Sequence, residues 1–265
     1  MARVSFEKYE GLGNDFIVIE GAAGMPWKSG VVERLCDRHF GIGADGILIV
    51  GPPSTPGAAG TMTVLNADGS RPEMCGNGIR CVAIHLAGRV GASPSELVID
   101  TDAGPRRCTL VGDGVEVDMG PLTDGGPVEV TLEGRVHRFA RVSIGNPHAI
   151  TFEPYAPSEI DSVGPRVSTA PVFPQGTNVE FAVLAQDGSI ELVVWERGVG
   201  RTLACGTGAC ATAFAACVAR KRSFDELIDL KLPGGTMQVS VKRDGLTATM
   251  RGPARLVFRG EADLP

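Results

Sequence analysis

Apolar and polar positions alternate along most of this chain in short runs, cut apart by Gly, Pro, Asn and Asp. Such runs, rich in Val, Ile, Phe and Thr, predict strands. They fall at 4–9, 16–20, 47–50, 62–65, 97–101, 106–111 and 115–119. A second set falls at 128–132, 137–144, 149–152, 179–184, 190–195, 227–232, 237–242, 246–250 and 256–258. Three stretches carry a helical period instead: 30–38, with Ser29 as N-cap, then 77–89 and 208–221. The last two end in cations (Arg89; Arg220, Lys221, Arg222), as suits a helix C-terminus. Residues 154–174 hold five prolines and read as an irregular loop. The turn-rich segment 120–126 suggests a boundary between lobes 1–120 and 121–265, with the last strand a candidate to return to the first lobe.

The two longer helices begin alike. One is entered through Met74-Cys75-Gly76-Asn77-Gly78, the other through Ala204-Cys205-Gly206-Thr207-Gly208, 130 residues later. Other landmarks recur near that offset. Val64 to Gly69 is matched by Val194 to Val199, and Gly13-Asn14 by Gly145-Asn146. A looser match relates Gly41 to Asp45 with Gln175 to Asn178. Landmarks in one order at nearly one spacing point to a duplication and two similar lobes.

Composition narrows the class. The 265 residues are 43% hydrophobic and 21% charged, with a net charge of −6, which is ordinary for a globular chain and unlike a disordered one. The acidic balance disfavours nucleic acid as a partner. The longest apolar run, 213–219, is far too short to cross a membrane, and the opening residues lack the apolar core of a secretory signal. Glycine is in excess at 36 residues, without collagen's period. Seven cysteines, an odd number with no CxxC spacing, form neither a disulfide framework nor a zinc site. They read as reduced thiols in the cytoplasm.

The chemistry lies in the repeated CGxG. A cysteine at a helix N-terminus sits at the positive end of the helix dipole, which favours the thiolate. Glycines beside it let a ligand approach the unsatisfied N–H groups of the first turn, a natural carboxylate cradle. Pseudo-two-fold symmetry would set one sulfur on each face of a bound α-carbon. One thiolate would remove the α-proton and the other thiol would deliver a proton to the opposite face, inverting the centre. No P-loop or dinucleotide fingerprint suggests a cofactor, and none is expected. Cys36, Cys81, Cys108, Cys210 and Cys217 read as packing residues.

At these residues the chain resembles the diaminopimelate epimerase family. The resemblance runs through GLGNDF (11–16), GIGADG (41–46), NADGS (66–70), MCGNGIRC (74–81), GNPH (145–148), GTNVEF (176–181) and ERGVGRTLACGTGAC (196–210). It implies an α/β fold of two lobes, each a curved mixed sheet around a central helix, with the site in the cleft between them. It also implies a cofactor-independent isomerase that interconverts LL- and meso-diaminopimelate in lysine and peptidoglycan-precursor synthesis. By the same resemblance, Cys75 and Cys205 are the catalytic pair. The amides of Gly76-Asn77 and Gly206-Thr207 hold the reacting carboxylate. Asn14, Asn66, Asn146, Asn178, Glu196 and Arg197 contact the substrate, and His148 and Glu196 tune the thiols. Arg197 suits the carboxylate at the non-reacting end of such a substrate, and Glu196 its ammonium. The expected partner is thus a small molecule, with no nucleic acid or membrane, and a homodimer is left open.

Two other readings compete. A proline racemase or hydroxyproline epimerase would use the same two thiols, but would typically carry His where this chain has Asn77. A non-catalytic redox or binding protein built on the cysteines would keep its activity without Cys75. A phenazine-type isomerase, which uses a carboxylate in place of the thiol pair, is disfavoured by the two retained cysteines.

Overall fold

The structure, a computed structural model, describes residues 3–21, 27–89 and 96–264. In chain order, its elements are β1 (Arg3–Gly11), β2 (Asn14–Glu20), α1 (Ser29–Cys36), β3 (Gly46–Gly51), β4 (Gly60–Asn66) and α2 (Gly76–Ala87). Next come β5 (Glu96–Thr101), β6 (Arg106–Val111), β7 (Gly114–Pro121), β8 (Thr123–Leu132), β9 (Arg135–Ser143) and β10 (Pro147–Thr151). They are followed by α3 (Pro157–Ser168), β11 (Asn178–Leu184), β12 (Ile190–Glu196), β13 (Gly200–Thr202) and α4 (Gly206–Val218). The chain finishes with β14 (Leu227–Leu232), β15 (Gly235–Val241), β16 (Thr247–Pro253) and β17 (Arg255–Asp263). Each run of alternating positions noted above coincides with a strand. β13, with three residues, is too short for alternation to show it.

The chain folds as two compact units, Met1–Val117 with Gly252–Pro265, and Asp118–Arg251. In the first, the strand order is β17-β1-β2-β3-β4-β5-β6-β7. Only β2–β3 and β4–β5 are parallel there. In the second, the order is β8-β9-β10-β11-β12-β14-β15-β16, and only β10–β11 and β12–β14 are parallel. The sequence of parallel and antiparallel pairings is the same in both. Each parallel pair is joined through a helix, as a crossover requires: α1 and α2 in the first unit, α3 and α4 in the second.

The central helices are α2 and α4. Eleven residues of α2 and eleven of α4 are buried, with apolar residues on every side of α4. A helix apolar all round has no face for water and belongs inside a core. Ala209, Ala211, Ala213, Ala215 and Ala216 are each 5% exposed or less, and their small side chains let strands approach closely.

Three expectations change. Residues 154–174 are not all loop, because α3 occupies Pro157–Ser168. Pro157 sits in the first turn, where no N–H is missed. Glu159 Oε2 accepts from the Ala156 N–H at 2.8 Å, and Ile160, Val163 and Val167 form a buried stripe. The helix tolerates Pro165 in its interior. Second, the N-cap of α1 is Lys28, which makes no side-chain cap, and Ser29 is the first helical residue. Third, the glycines near 125 lie in strand β8, where a bulge between Asp124 and Gly126 absorbs them.

Candidate active site

Both CGxG sequences build the same local structure. Cys75 is the N-cap of α2, with φ −133° and ψ 114°, and its Sγ accepts from the Gly78 N–H at 3.4 Å. Cys205 is the N-cap of α4, with φ −128° and ψ 112°, and its Sγ accepts from the Gly208 N–H at 3.4 Å. Each sulfur thus takes the place of the oxygen acceptor usual at an N-cap. Gly76 and Asn77, and likewise Gly206 and Thr207, are the first two residues of the helices, where backbone N–H groups face the helix end.

In the first unit, Cys75 is half-buried. Asn14 stands at the start of β2, where its Nδ2 donates to Asp45 Oδ2 at 2.6 Å, and its Oδ1 accepts from Asn77 Nδ2 at 3.2 Å. Asp45 also accepts from the Asp15 N–H and from Arg38. Asp15 in turn pairs with the buried Lys8 at 2.6 Å. Asn14 and Asn77 are therefore held beside each other by a charged frame. Asn66, at the end of β4, donates to Ser70 Oγ at 2.9 Å and anchors its own turn. The sequence reading passed over Asp45 as a site residue, although it lies within the GIGADG motif. Its spacing gave no sign that it would meet Asn14, 31 residues away.

In the second unit, Cys205 is 7% exposed. Burial pushes its thiol well above the ordinary range, the charges of Glu196 and Glu180 add to that, and hydrogen bonds from Thr207 and Gly208 oppose it. Thr207 Oγ1 lies 3.5 Å from Sγ and accepts from Asn146 Nδ2 at 3.3 Å. Asn146 Oδ1 meets His148 Nε2 at 3.0 Å, and His148 Nδ1 meets Glu180 Oε1 at 2.7 Å. Asn178 is buried at the start of β11, accepting from the Arg197 N–H at 2.9 Å and donating to Pro147 O at 3.2 Å. Glu196 accepts from Thr202 Oγ1 at 2.6 Å. Arg197 is exposed and donates to Gln175 O at 2.6 Å. Asn146, His148 and Thr207 are thus linked to Cys205, and Asn178 is linked to Arg197.

Glu180 is a second residue that sequence reading missed. It is 0% exposed, and burial raises its carboxyl pKa against the pull of His148. Its signal was present in GTNVEF, where Glu180 shares a strand face with Asn178 two positions earlier. The second glycine of each CGxG also has a different use from the one expected. A Cβ on Gly208 would lie 2.8 Å from Glu180 Oε1, and one on Gly78 would lie 2.9 Å from Leu48 Cδ2. These glycines make room for the protein's own side chains.

Comparison with known proteins shows the family and the shared fold. The family model described as diaminopimelate epimerase matches at residues 6–124 and again at 140–257, once in each half. Diaminopimelate epimerase 1 of Nostoc sp. is 43% identical, over 97% of this chain and 99% of that protein. The diaminopimelate epimerase of Desulfitobacterium hafniense is 38% identical, over 96% of each. Among solved structures, a hydroxyproline epimerase of Agrobacterium vitis is similar with a TM-score of 0.77 at 16% identity, covering 98% of this chain and 92% of that one. A phenazine biosynthesis protein of Bacillus anthracis gives 0.76 at 16%, covering 99% and 100%. These two show that the mixed α/β fold is shared, and at that identity they show nothing about substrate.

Proposed function

The chain belongs to the diaminopimelate epimerase family, and we propose that it interconverts LL- and meso-2,6-diaminopimelate with Cys75 and Cys205 as its acid–base pair. It is an isomerase. The observation that carries the two-thiol reading is the twinned N-cap: two cysteines with matching backbone angles, each 3.4 Å from a glycine N–H, at the starts of the two buried helices.

The chemistry needs one proton removed from the α-carbon and one returned on the other face. A thiolate takes the α-proton and becomes a thiol, while the opposite thiol gives its proton to the carbanion and becomes a thiolate. The two cysteines end with roles exchanged, and no cofactor enters the balance. Charge growing on the substrate carboxylate in the transition state is met by the N–H groups of Gly76, Asn77, Gly206 and Thr207. Asn14, Asn66, Asn146 and Asn178 supply donors and acceptors to the substrate, and His148 and Glu196 adjust the thiols. Arg197 and Glu196 recognise the amino-acid group at the non-reacting end. The substrate is a small molecule. Among the described residues no helix is long and apolar enough to cross a membrane, and none of the seven cysteines is in a disulfide. On this reading the enzyme works in the cytoplasm, where its thiols stay reduced.

Incubating the reduced protein with LL-diaminopimelate in D2O tests the reading. Solvent deuterium should enter the α-position as the meso form appears. Cys75→Ser and Cys205→Ser should each abolish interconversion, and full activity in either variant would sink the two-thiol mechanism.

A further inference from the structure

We propose that Glu180 is a positioning residue for Cys205, acting by fixing the direction in which His148, Asn146 and Thr207 donate their hydrogen bonds. The inference rests on the proposed role of Cys205 and extends it to a residue that touches neither substrate nor sulfur through its own hydrogen bonds.

The chain of contacts is continuous within the second unit. Glu180 Oε1 is 2.7 Å from His148 Nδ1, His148 Nε2 is 3.0 Å from Asn146 Oδ1, Asn146 Nδ2 is 3.3 Å from Thr207 Oγ1, and Thr207 Oγ1 is 3.5 Å from Cys205 Sγ. The side chains of His148 and Glu180 are both 0% exposed, so no water competes for them. Burial favours the protonated carboxyl of Glu180, and in that form its O–H donates to His148 Nδ1. With Nδ1 accepting, Nε2 carries the ring hydrogen and donates to Asn146 Oδ1. That turns the Asn146 amide so that its NH2 faces Thr207. With a lone pair occupied by Asn146, the Thr207 hydroxyl directs its hydrogen at Cys205 Sγ. Without Glu180, the imidazole is free to carry its hydrogen on Nδ1 and accept at Nε2, and the direction of the relay is lost.

The first unit provides the contrast. In the parallel pairs, His148 lies opposite Asn178 and Phe16 lies opposite Gly46. Two residues on, Glu180 and Leu48 hold equivalent places, one against Gly208 and the other against Gly78. Phe16 and Leu48 therefore stand where the second unit has His148 and Glu180. Hydrogen bonds around Cys75 also run the other way: Asn77 Nδ2 donates to Asn14, and Asn14 donates to Asp45. The repeat has preserved both sulfurs while the two side chains at these places changed from Phe and Leu in the first unit to His and Glu in the second.

The groups facing Cys205 explain why a relay is useful there. Glu196 from β12 and Glu180 from β11 both oppose a thiolate, and the first turn of α4 carries no acid. His148 Nδ1 holds the Glu180 carboxyl at 2.7 Å. The Thr207 hydroxyl and the Gly208 N–H then supply the stabilising hydrogen bonds.

The test is the rate of iodoacetamide alkylation of Cys205 at pH 8 on enzyme without substrate, read against Cys75 in the same sample by peptide mass spectrometry. Glu180→Leu should slow Cys205 about tenfold, the worth of one hydrogen bond to a charged group, and leave Cys75 unchanged. Thr207→Val, which keeps the backbone N–H, should slow it similarly. The double variant should be no slower than Thr207→Val alone. Glu180→Gln, whose NH2 can hold the same imidazole tautomer, should stay near the parent rate. Slowing of both cysteines together in Glu180→Leu, additive effects in the double variant, or an unaltered rate in Thr207→Val would each overturn the proposal. The last applies even where Glu180→Leu fails to fold. Because no substrate is present, a chain that shows these rates yet does not epimerise diaminopimelate would refute the function and leave the relay standing.

Discussion

Gly208 and Glu180 occupy adjoining space so closely that a methyl group on the glycine would sit 2.8 Å from the carboxyl oxygen. The carboxyl cannot retreat, being fully buried and bonded to His148. Gly208→Ala should therefore lower kcat at least tenfold by displacing Glu180. Its stability should fall by up to about 2 kcal/mol, since overpacking of about 1–3 kcal/mol is partly offset by about 1 kcal/mol of helix propensity. Gly78→Ala should be milder, because the neighbouring atoms are the terminal methyls of Leu48. Steady-state kinetics beside melting curves on both variants would check this.

Arg197 is exposed and donates to the Gln175 carbonyl. An exposed side chain with one such contact adds little to folding. Arg197→Ala should raise KM for diaminopimelate by about tenfold or more, the loss of a bidentate charged pair, with the melting temperature almost unmoved. A stability loss without a change in KM would make Arg197 a structural residue.

Asn178 should behave in the opposite way. It is 6% exposed and ties Pro147 to Arg197 through two hydrogen bonds. Asn178→Asp would aim a carboxylate at the Pro147 carbonyl and leave a buried acceptor unpaired. The expected cost is about 1–3 kcal/mol, measured as a lower denaturant midpoint, together with weaker substrate binding.

The thiols should label in a set order. Burial pushes Cys36 and Cys217 up to about 11 and Cys81 and Cys108 up to about 12. Thiolate fraction at pH 8 falls about tenfold for each unit of pKa above it. Cys75 is the half-buried exception. Limited alkylation of the native protein at pH 8 should therefore modify Cys75 first, and peptide mapping that finds any of those four ahead of it would contradict the fold described here.

Acid should loosen the first unit over a defined window. Burial works to raise the carboxyls of Glu7 and Asp15. Arg259, His85 and Tyr9 outweigh it for Glu7, and Arg38 and Lys8 outweigh it for Asp15, leaving both at about 2. A carboxyl whose pKa is lower when folded stabilises fully above its unfolded value and loses that contribution as pH falls through the folded one. The loss should run from about pH 4.5 down to about pH 2. Glu7→Gln should flatten the pH dependence of the melting temperature across that range, because Glu7 joins β1 to His85 of α2 and Arg259 of β17.

The amino-acid order alone determined the strands other than β13, three of the helices and the repeat that carries a cysteine before each buried helix. These are local properties, set by alternation and by residues that start or stop an element within a few positions. Helix α3 escaped because its period, Ile160 to Val163 to Val167, is interrupted by prolines whose tolerance depends on where they fall in the turn. What only the tertiary structure decided is which strands lie side by side. The last strand pairs with the first, Asp263 opposite Arg3, across nearly the whole chain. Asp45 reaches Asn14, and Glu180 comes to rest beneath Gly208 and beside His148. Such neighbours are fixed by sheet register and by close packing over long separations, which no short pattern encodes. That is why the two thiols were visible as a pair in the sequence, while the polar relay behind one and the apolar Leu48 behind the other became visible only in the fold.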